Sequence, residues 1–266
     1  MELAGSRVLI TGASRGIGLG LAEAFAAAGA GVALVARSAG PLLDLADRLG
    51  GTAHACDLTD PAARAGLVDA VEADGGPVDV LVNNAGMEVA APVDRQRAED
   101  VEDLFQLNLV APVELCRQAL PGMIRRGRGH IVNISSQSGA VALPGITTYA
   151  ASKSGLSAFT RGLTLDLIGT SVGTTIVEIG TVTTDMLARL DQPGTYAPTV
   201  AAFNRSYALH LQRRLSVDEV VTAVVAAVRA DASAVRLPRR AAPLSMLAAA
   251  PQRIVNVAML GLRKRL

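Results

Sequence analysis

Arg7-Val8-Leu9-Ile10-Thr11-Gly12-Ala13-Ser14-Arg15-Gly16-Ile17-Gly18 is the stretch on which the reading of the fold turns. Arg7 to Thr11 reads as a short apolar strand that runs directly into three spaced glycines, Gly12, Gly16 and Gly18. A helical pattern follows from Leu19 to Ala28 and stops at Gly29. Glycines between a strand and a helix allow a tight turn, close approach of a ligand to backbone N–H groups, and tight helix–strand packing. A dinucleotide pyrophosphate needs all three. The spacing is GxxxGxG, not the commoner GxGxxG, and no Gly-Lys-Ser/Thr follows, which excludes a P-loop. Taken alone, such a turn could equally be structural.

Outward from this turn the pattern alternates. Val32 to Ala36 is a second strand, Pro41 to Leu49 a helix, Thr52 to Ala55 a strand and Pro61 to Ala73 a helix. Asp79 to Val82 is a buried strand ending in Asn83-Asn84-Ala85-Gly86. Ala98 to Met123 is a long helical stretch, bent at Pro112. His130 to Ser135, Thr174 to Glu178 and Ala234 to Leu237 read as strands, and Tyr149 to Leu167 and Val217 to Val228 as helices. Strands alternating with helices imply an α/β fold: one Rossmann-like, doubly wound parallel sheet of about seven strands with helices on both faces. The domain is expected over 1–240, with 241–266 as an extension. Residues 181–215 break the rhythm, and a connection of that length in a compact α/β domain reads as a lid.

Composition sets outer limits. The 266 residues are 50% hydrophobic and 18% charged, which supports a well-buried core and argues against disorder. A formal net charge of +1 gives no reason to expect nucleic-acid binding. Cys56 and Cys116 have no CxxC spacing and no local histidine, so they read as buried apolar groups in a reducing compartment rather than metal ligands. Neither a signal peptide nor a membrane-spanning segment is expected, which places the chain in the cytoplasm.

A second stretch carries chemistry: Thr148-Tyr149-Ala150-Ala151-Ser152-Lys153. Residues four apart share a helix face, so Tyr149 and Lys153 point the same way. Only Lys153 and Lys264 are lysine, the other basic residues being arginine, which suggests that position 153 needs a compact ammonium. A cation fixed beside a phenol is expected to lower its pKa from about 10 and make it a usable acid and base.

Together these residues resemble the classical short-chain dehydrogenase/reductase family over roughly residues 5–240. The matching segments are TGASRGIG at 11–18, NNAG at 83–86, Asn108 in LNLV, ISSQSG at 134–139 and YAASK at 149–153, with Ser136 at the family's offset before Tyr149. The resemblance implies roles. Tyr149 would be the general acid in carbonyl reduction and the base in alcohol oxidation. Lys153 would hold the nicotinamide ribose and lower the tyrosine pKa. Ser136 would bind the substrate oxygen, and Asn108 would distort its helix and hold a relay water. For the cofactor, Gly12, Ser14, Arg15, Gly16, Ile17 and Gly18 would line the pyrophosphate turn. Asp57 and Leu58 would meet the adenine, and Asn84, Ala85 and Gly86 the adenosine ribose. Val182 and Thr184 would contact the nicotinamide amide. There the family's PGxVxT reads Ile179-Gly180-Thr181-Val182-Thr183-Thr184, and isoleucine in place of proline leaves the backbone less restrained.

Charge argues for NADP(H). An NAD site wants an acid near the end of the second strand, but here it ends Val35-Ala36-Arg37-Ser38. Arg37 and Arg15 suit a 2′-phosphate. The segments expected to face substrate are apolar: Met87, Val89, Val141, Leu143, Met186, Leu187 and Leu190, with Tyr196, Phe203 and Tyr207. They suggest a hydrophobic, lipid-like, steroid, terpenoid or aromatic carbonyl or alcohol, or a lid packed on its core. After Asp231 every charged residue is basic, and this tail also carries apolar residues. It could pack on the body or a second subunit, lie at a membrane surface, or dock an acyl carrier. The family implies a homodimer or homotetramer. Two readings compete with an oxidoreductase: a non-catalytic nucleotide-binding protein that kept the fold, and a sugar-nucleotide epimerase. The intact Asn108, Ser136, Tyr149 and Lys153 oppose the first. The glycine spacing, and no larger C-terminal substrate domain, oppose the second.

Overall fold

Alternate residues of the first strand bury themselves in two different cores. A computed structural model describes residues 1–141, 143–190 and 195–241. In β1 (Arg7–Thr11) every residue is buried. Successive strand side chains point to opposite faces. Val8 and Ile10 therefore join one cluster with Leu21, Phe25, Leu42 and Val224, while Leu9 joins another with Val71, Leu115, Met123 and Leu163. Burial on both faces is what makes the strand an unbroken apolar run.

The remaining elements are α1 (Gly16–Ala27), β2 (Gly31–Ala36), α2 (Ala39–Leu49), β3 (Thr52–Ala55), α3 (Pro61–Arg64), α4 (Leu67–Gly75) and β4 (Val80–Asn83). They are followed by α5 (Ala98–Phe105), α6 (Ala111–Arg126), β5 (Gly129–Ser136), α7 (Thr147–Asp166), β6 (Val172–Ile179), α8 (Asp185–Leu190), α9 (Ala197–Ala208), α10 (Val217–Ala230) and β7 (Ala234–Leu237). Among the described residues the strands form one seven-stranded sheet in the order β3-β2-β1-β4-β5-β6-β7. All neighbours pair parallel. The strand order reverses between β1 and β4, which opens a crevice at their C-terminal ends. Both signature segments, Thr11–Gly18 and Asn83–Gly86, leave the sheet there.

Several expected boundaries shift for physical reasons. The helix expected over Pro61 to Ala73 is two helices, because the chain leaves helical geometry at Ala65 and Gly66 takes φ +70°. The stretch from Ala98 onward does not bend at Pro112. Pro112 lies in the first turn of α6, directly after that stretch's non-α segment. The distortion falls earlier, as a wide π turn over Gln106–Val110. Among the described residues of 181–215 are two helices, α8 and α9. Past them, Ser216 and Glu219 form a reciprocal cap at the start of α10, with Glu219 N donating to Ser216 Oγ and Ser216 N to Glu219 Oε2, each 3.1 Å.

The backbone at Ile179 is held by the sheet. With its N–H available, β6 runs through Ile179, paired with Ser136 on one side and Leu237 on the other. Gly180 N then donates to Leu237 O (2.8 Å), Leu215 N to Thr181 O (2.9 Å) and Thr183 N to Leu215 O (2.9 Å). Both cysteines are free and buried. Among the described residues no helix is long and apolar enough to cross a membrane. The basic tail beyond 241 lies outside the described residues.

Candidate active site

The crevice is stitched shut beneath by side chains of the two signature segments. Asn84 N and Ala85 N both donate to Thr11 Oγ1 at 3.0 Å, and Asn84 Nδ2 donates to Thr11 O (2.9 Å) and Gly12 O (3.2 Å). Gly12 and Gly16 sit at φ +65° and +57°, the left-handed region that favours glycine. A Cβ on Gly12 would stand 2.9 Å from Ala85 Cα, and one on Gly18 would run into the Gly12 carbonyl. Ile17 packs partly on the core below, while Ser14 is partly exposed on the turn itself.

Beside this turn β5 delivers Ser136, and α7 delivers Tyr149 and Lys153. Polar bonds set the register between strand and helix. Ser135 Oγ donates to Lys153 O (3.0 Å) and pairs with Ser157 Oγ (2.8 Å). Deeper, Asn83 Nδ2 donates to Asn133 Oδ1 and Asn133 Nδ2 to Thr160 Oγ1, both 2.8 Å. This buried ladder links β4, β5 and α7, and the sequence reading does not single it out. Ser136 is close enough to the Tyr149 hydroxyl to favour its ionised form, and its Oγ accepts from Ser138 N at 3.1 Å. Lys153 is 5% exposed and donates from Nζ to Ile134 O at 2.9 Å.

Asn108 is fully buried within the π turn. Its Nδ2 donates to Met87 O (2.9 Å) and Ser152 Oγ (3.1 Å), and its Oδ1 accepts from Met87 N (2.9 Å). The expected helix distortion is therefore present, but both amide N–H groups are already engaged. A relay water would fall to the backbone of the wide turn, not to the donors of this side chain. Gly86 closes the group: a Cβ there would sit 3.2 Å from Asn108 Oδ1 and 3.5 Å from Lys153 Nζ.

The electrostatics correct one expectation. The Tyr149 phenol is pushed above its ordinary value, chiefly by burial and further by Glu88, against a lowering contribution from the Ser136 hydroxyl. The Lys153 ammonium donates to the Ile134 carbonyl, and burial pulls Lys153 down to about 8. Glu88 is absent from the sequence reading, although the signal is visible: it is the one charged residue between Ala85 and Val93. Burial raises its carboxyl to about 7.

The other expected cofactor positions ring the same crevice. Arg37 is exposed past the end of β2; against the raising effect of burial, the Asp57 carboxyl is lowered by hydrogen bonds from Thr59 and, to a smaller extent, by Arg37. Asp57 accepts from Thr59 N (3.0 Å) and Thr59 Oγ1 (2.8 Å), while the Leu58 side chain is buried in the second core. Arg15 reaches Asp185 of α8 at 3.5 Å, an exposed and therefore weak pair. Val182 is buried and bridged to Leu215. Thr184 lies 3.5 Å from where a Gly16 Cβ would be, facing the glycine turn across the gap. Of the residues expected to face substrate, Leu143 and Phe203 pack with Tyr149, Ile146, Ala90 and Ala202. Tyr207 instead donates to Thr181 Oγ1 at 2.9 Å. The Leu190 side chain lies outside the described residues.

Residues 6–194 match the family model described as short chain dehydrogenase. The chain belongs to the short-chain dehydrogenase family. Members are oxidoreductases that use a nicotinamide cofactor. Similar family proteins differ in substrate. A ketoacyl reductase of Nostoc is 38% identical over 180 residues, covering 66% of this chain and 63% of that protein. A gluconate 5-dehydrogenase of Gluconobacter oxydans is 41% identical over 170 residues, covering 62% of this chain and 66% of that one. The matched part thus spans just under two thirds of either relative. Among solved structures, a short-chain dehydrogenase from Sphingobium yanoikuyae in complex with NADPH is 31% identical with a TM-score of 0.77, covering 94% of this chain and 95% of that one.

The residues of this short-chain dehydrogenase fit such a cofactor. The glycine turn leaves no side chain where a pyrophosphate would approach the N-terminus of α1, and Gly86 leaves its own backbone close against Lys153 and Asn108.

Proposed function

We propose that the chain is an NADP(H)-dependent oxidoreductase interconverting a hydrophobic ketone or aldehyde and its alcohol. The observation that carries this is that the end of β5 and the first turns of α7 bring Ser136, Tyr149 and buried Lys153 to one place beside the glycine turn. The bound nicotinamide would supply or accept the hydride. Tyr149 gives its phenolic proton to the carbonyl oxygen in reduction and takes the hydroxyl proton back in oxidation. Ser136 Oγ holds that oxygen. Lys153 holds the cofactor ribose and Asn108 braces the loop after β4. Gly12, Gly16 and Gly18 receive the pyrophosphate, and Arg37 with Arg15 the 2′-phosphate. The NADPH in the Sphingobium structure supports the choice of cofactor.

The apolar cluster around Tyr149 supports a substrate closer to a ketoacyl chain than to a sugar acid, because a polyhydroxyl compound would lose its water against Leu143, Ile146 and Phe203. Exposed Val110, Ile124 and Leu165 on the long helical segments are surfaces that a second copy would cover. A purely nucleotide-binding role is disfavoured by the presence of Asn108, Ser136, Tyr149 and Lys153 together.

The test is turnover of NADPH with a panel of apolar ketones and aldehydes. We expect Tyr149→Phe to lower kcat by about 10²–10⁴-fold with NADPH affinity unchanged. Equal rates in both chains, or turnover of sugar acids alone, overturns the reading.

A further inference from the structure

Arg64 is the last residue of α3, directly before the break at Ala65 and Gly66, and it is 4% exposed. Its guanidinium spans two segments. Nη1 donates to Leu58 O at 2.9 Å and to Thr59 O at 3.4 Å, while Nη2 donates to Gln106 Oε1 at 2.7 Å. From α6, Gln118 Nε2 donates to Arg64 O at 3.0 Å. The three acceptors of the guanidinium are all neutral oxygens. Taking such a charge out of water is costly, and an apolar side chain would fill the same space without that cost. What the planar fork adds is directed bonds to two segments at once.

Those bonds join the two ends of the crevice. Leu58 and Thr59 follow β3, which runs parallel to β2 and β1, so they emerge at the same C-terminal edge of the sheet as the glycine turn. Gln106 opens the π turn whose third residue, Asn108, grips Met87 in the loop after β4. Hydrogen bonds and one turn of backbone therefore lead from the loop after β3, through Arg64, to the loop that carries Gly86.

We infer that Arg64 is a positioning residue for the cofactor: it locks the loop that would meet the adenine to the turn that carries Asn108, so that an occupant of the adenosine end steadies the catalytic end. The inference rests on the NADP(H) reading of the crevice.

Hydrogen exchange of the full chain, read peptide by peptide, tests this without turnover. The probe is adenosine 2′,5′-bisphosphate, which has no nicotinamide half and so cannot touch Asn108 directly. In the wild type it should slow exchange by roughly 5-fold or more both at 57–60 and at 106–110. In Gln106→Leu the first effect should remain and the second vanish. Gln106→Glu, which keeps an acceptor for Nη2, should retain both. Gln106 is half-buried, so neither change empties the core. Arg64→Met should also weaken the bisphosphate by about 10-fold. A merely structural role would lower Tm in Gln106→Leu yet leave the ligand-induced pattern of the wild type, and that result overturns the inference. So does a wild type that binds NADPH but gains no protection at 106–110 from the bisphosphate. A wild type that binds neither molecule removes the cofactor reading and the inference together.

Discussion

Asn108 holds Met87 by its backbone in both directions: Met87 N donates to Oδ1 and Nδ2 donates to Met87 O, each at 2.9 Å. The pairing resembles one rung of a sheet, made by a side chain. It fixes the loop that carries Gly86 and Glu88 against α7. Asn108→Ala removes both bonds and the one to Ser152, leaving the Met87 N–H and C=O without these partners. We expect a loss of about 2–3 kcal/mol, read as a fall in Tm of roughly 5–10 °C. A change under about 1 °C would show that the brace is not needed.

Arg37 is exposed just past the end of β2, and we propose that it meets the ribose 2′-phosphate. Arg37→Asp removes a guanidinium and adds an acid. We expect the ratio of kcat/KM for NADPH to that for NADH to fall by about 10-fold or more, since a charge-assisted contact contributes roughly 1.5–3 kcal/mol. An unchanged ratio places the 2′-position elsewhere.

His130 gives the fold an acid limb. It is 1% exposed, bonds Thr175 Oγ1 through Nε2 at 2.7 Å, and is pulled down to about 4 by burial despite Asp231 at 3.2 Å. An unfolded histidine titrates near 6.5. Between those values the unfolded chain holds a proton that the folded chain refuses, so stability rises with pH across the window and is lost as pH falls through it. The loss is on the order of 3 kcal/mol. His130→Gln should flatten Tm against pH between those values. A slope equal to the wild type's would assign the acid limb to other groups.

Gly18 and Gly66 are glycines for different reasons. Gly66 has φ +70° and open space around its missing Cβ, so Gly66→Ala pays only for the backbone, about 1–2 kcal/mol. Gly18 has ordinary helical geometry, but its Cβ would strike the Gly12 carbonyl and lie 2.6 Å from Asn84 Nδ2. Gly18→Ala should weaken NADPH binding by roughly 10-fold or more by forcing the turn open, measured by NADPH fluorescence. Gly66→Ala should leave that affinity unchanged. Identical affinities for both variants would separate the glycine turn from the cofactor.

The alternation of apolar runs with helical patterns was enough to name a parallel sheet, because strands buried on both faces must be apolar throughout. The glycine turn and the shared helix face of Tyr149 and Lys153 were legible from local geometry, a strand–turn–helix junction and an i, i+4 spacing, whereas Ser136 and the 83–86 segment were singled out only by the family resemblance. Helix breaks were less so: Gly66 splits a run that apolar periodicity joins, and the π turn at Gln106–Val110 has no pattern of its own.

What the chain's order of residues determined alone was the architecture and which side chains gather at the crevice, since both follow from local propensity and parallel strand order. Only the folded arrangement decided how those side chains are charged and held. Lys153 turns to Ile134, Glu88 comes to bear on Tyr149, and Asn108 is engaged by Met87. These pairings join segments 19 to 61 positions apart, and the energy of a charge depends on the burial and neighbours that such contacts create.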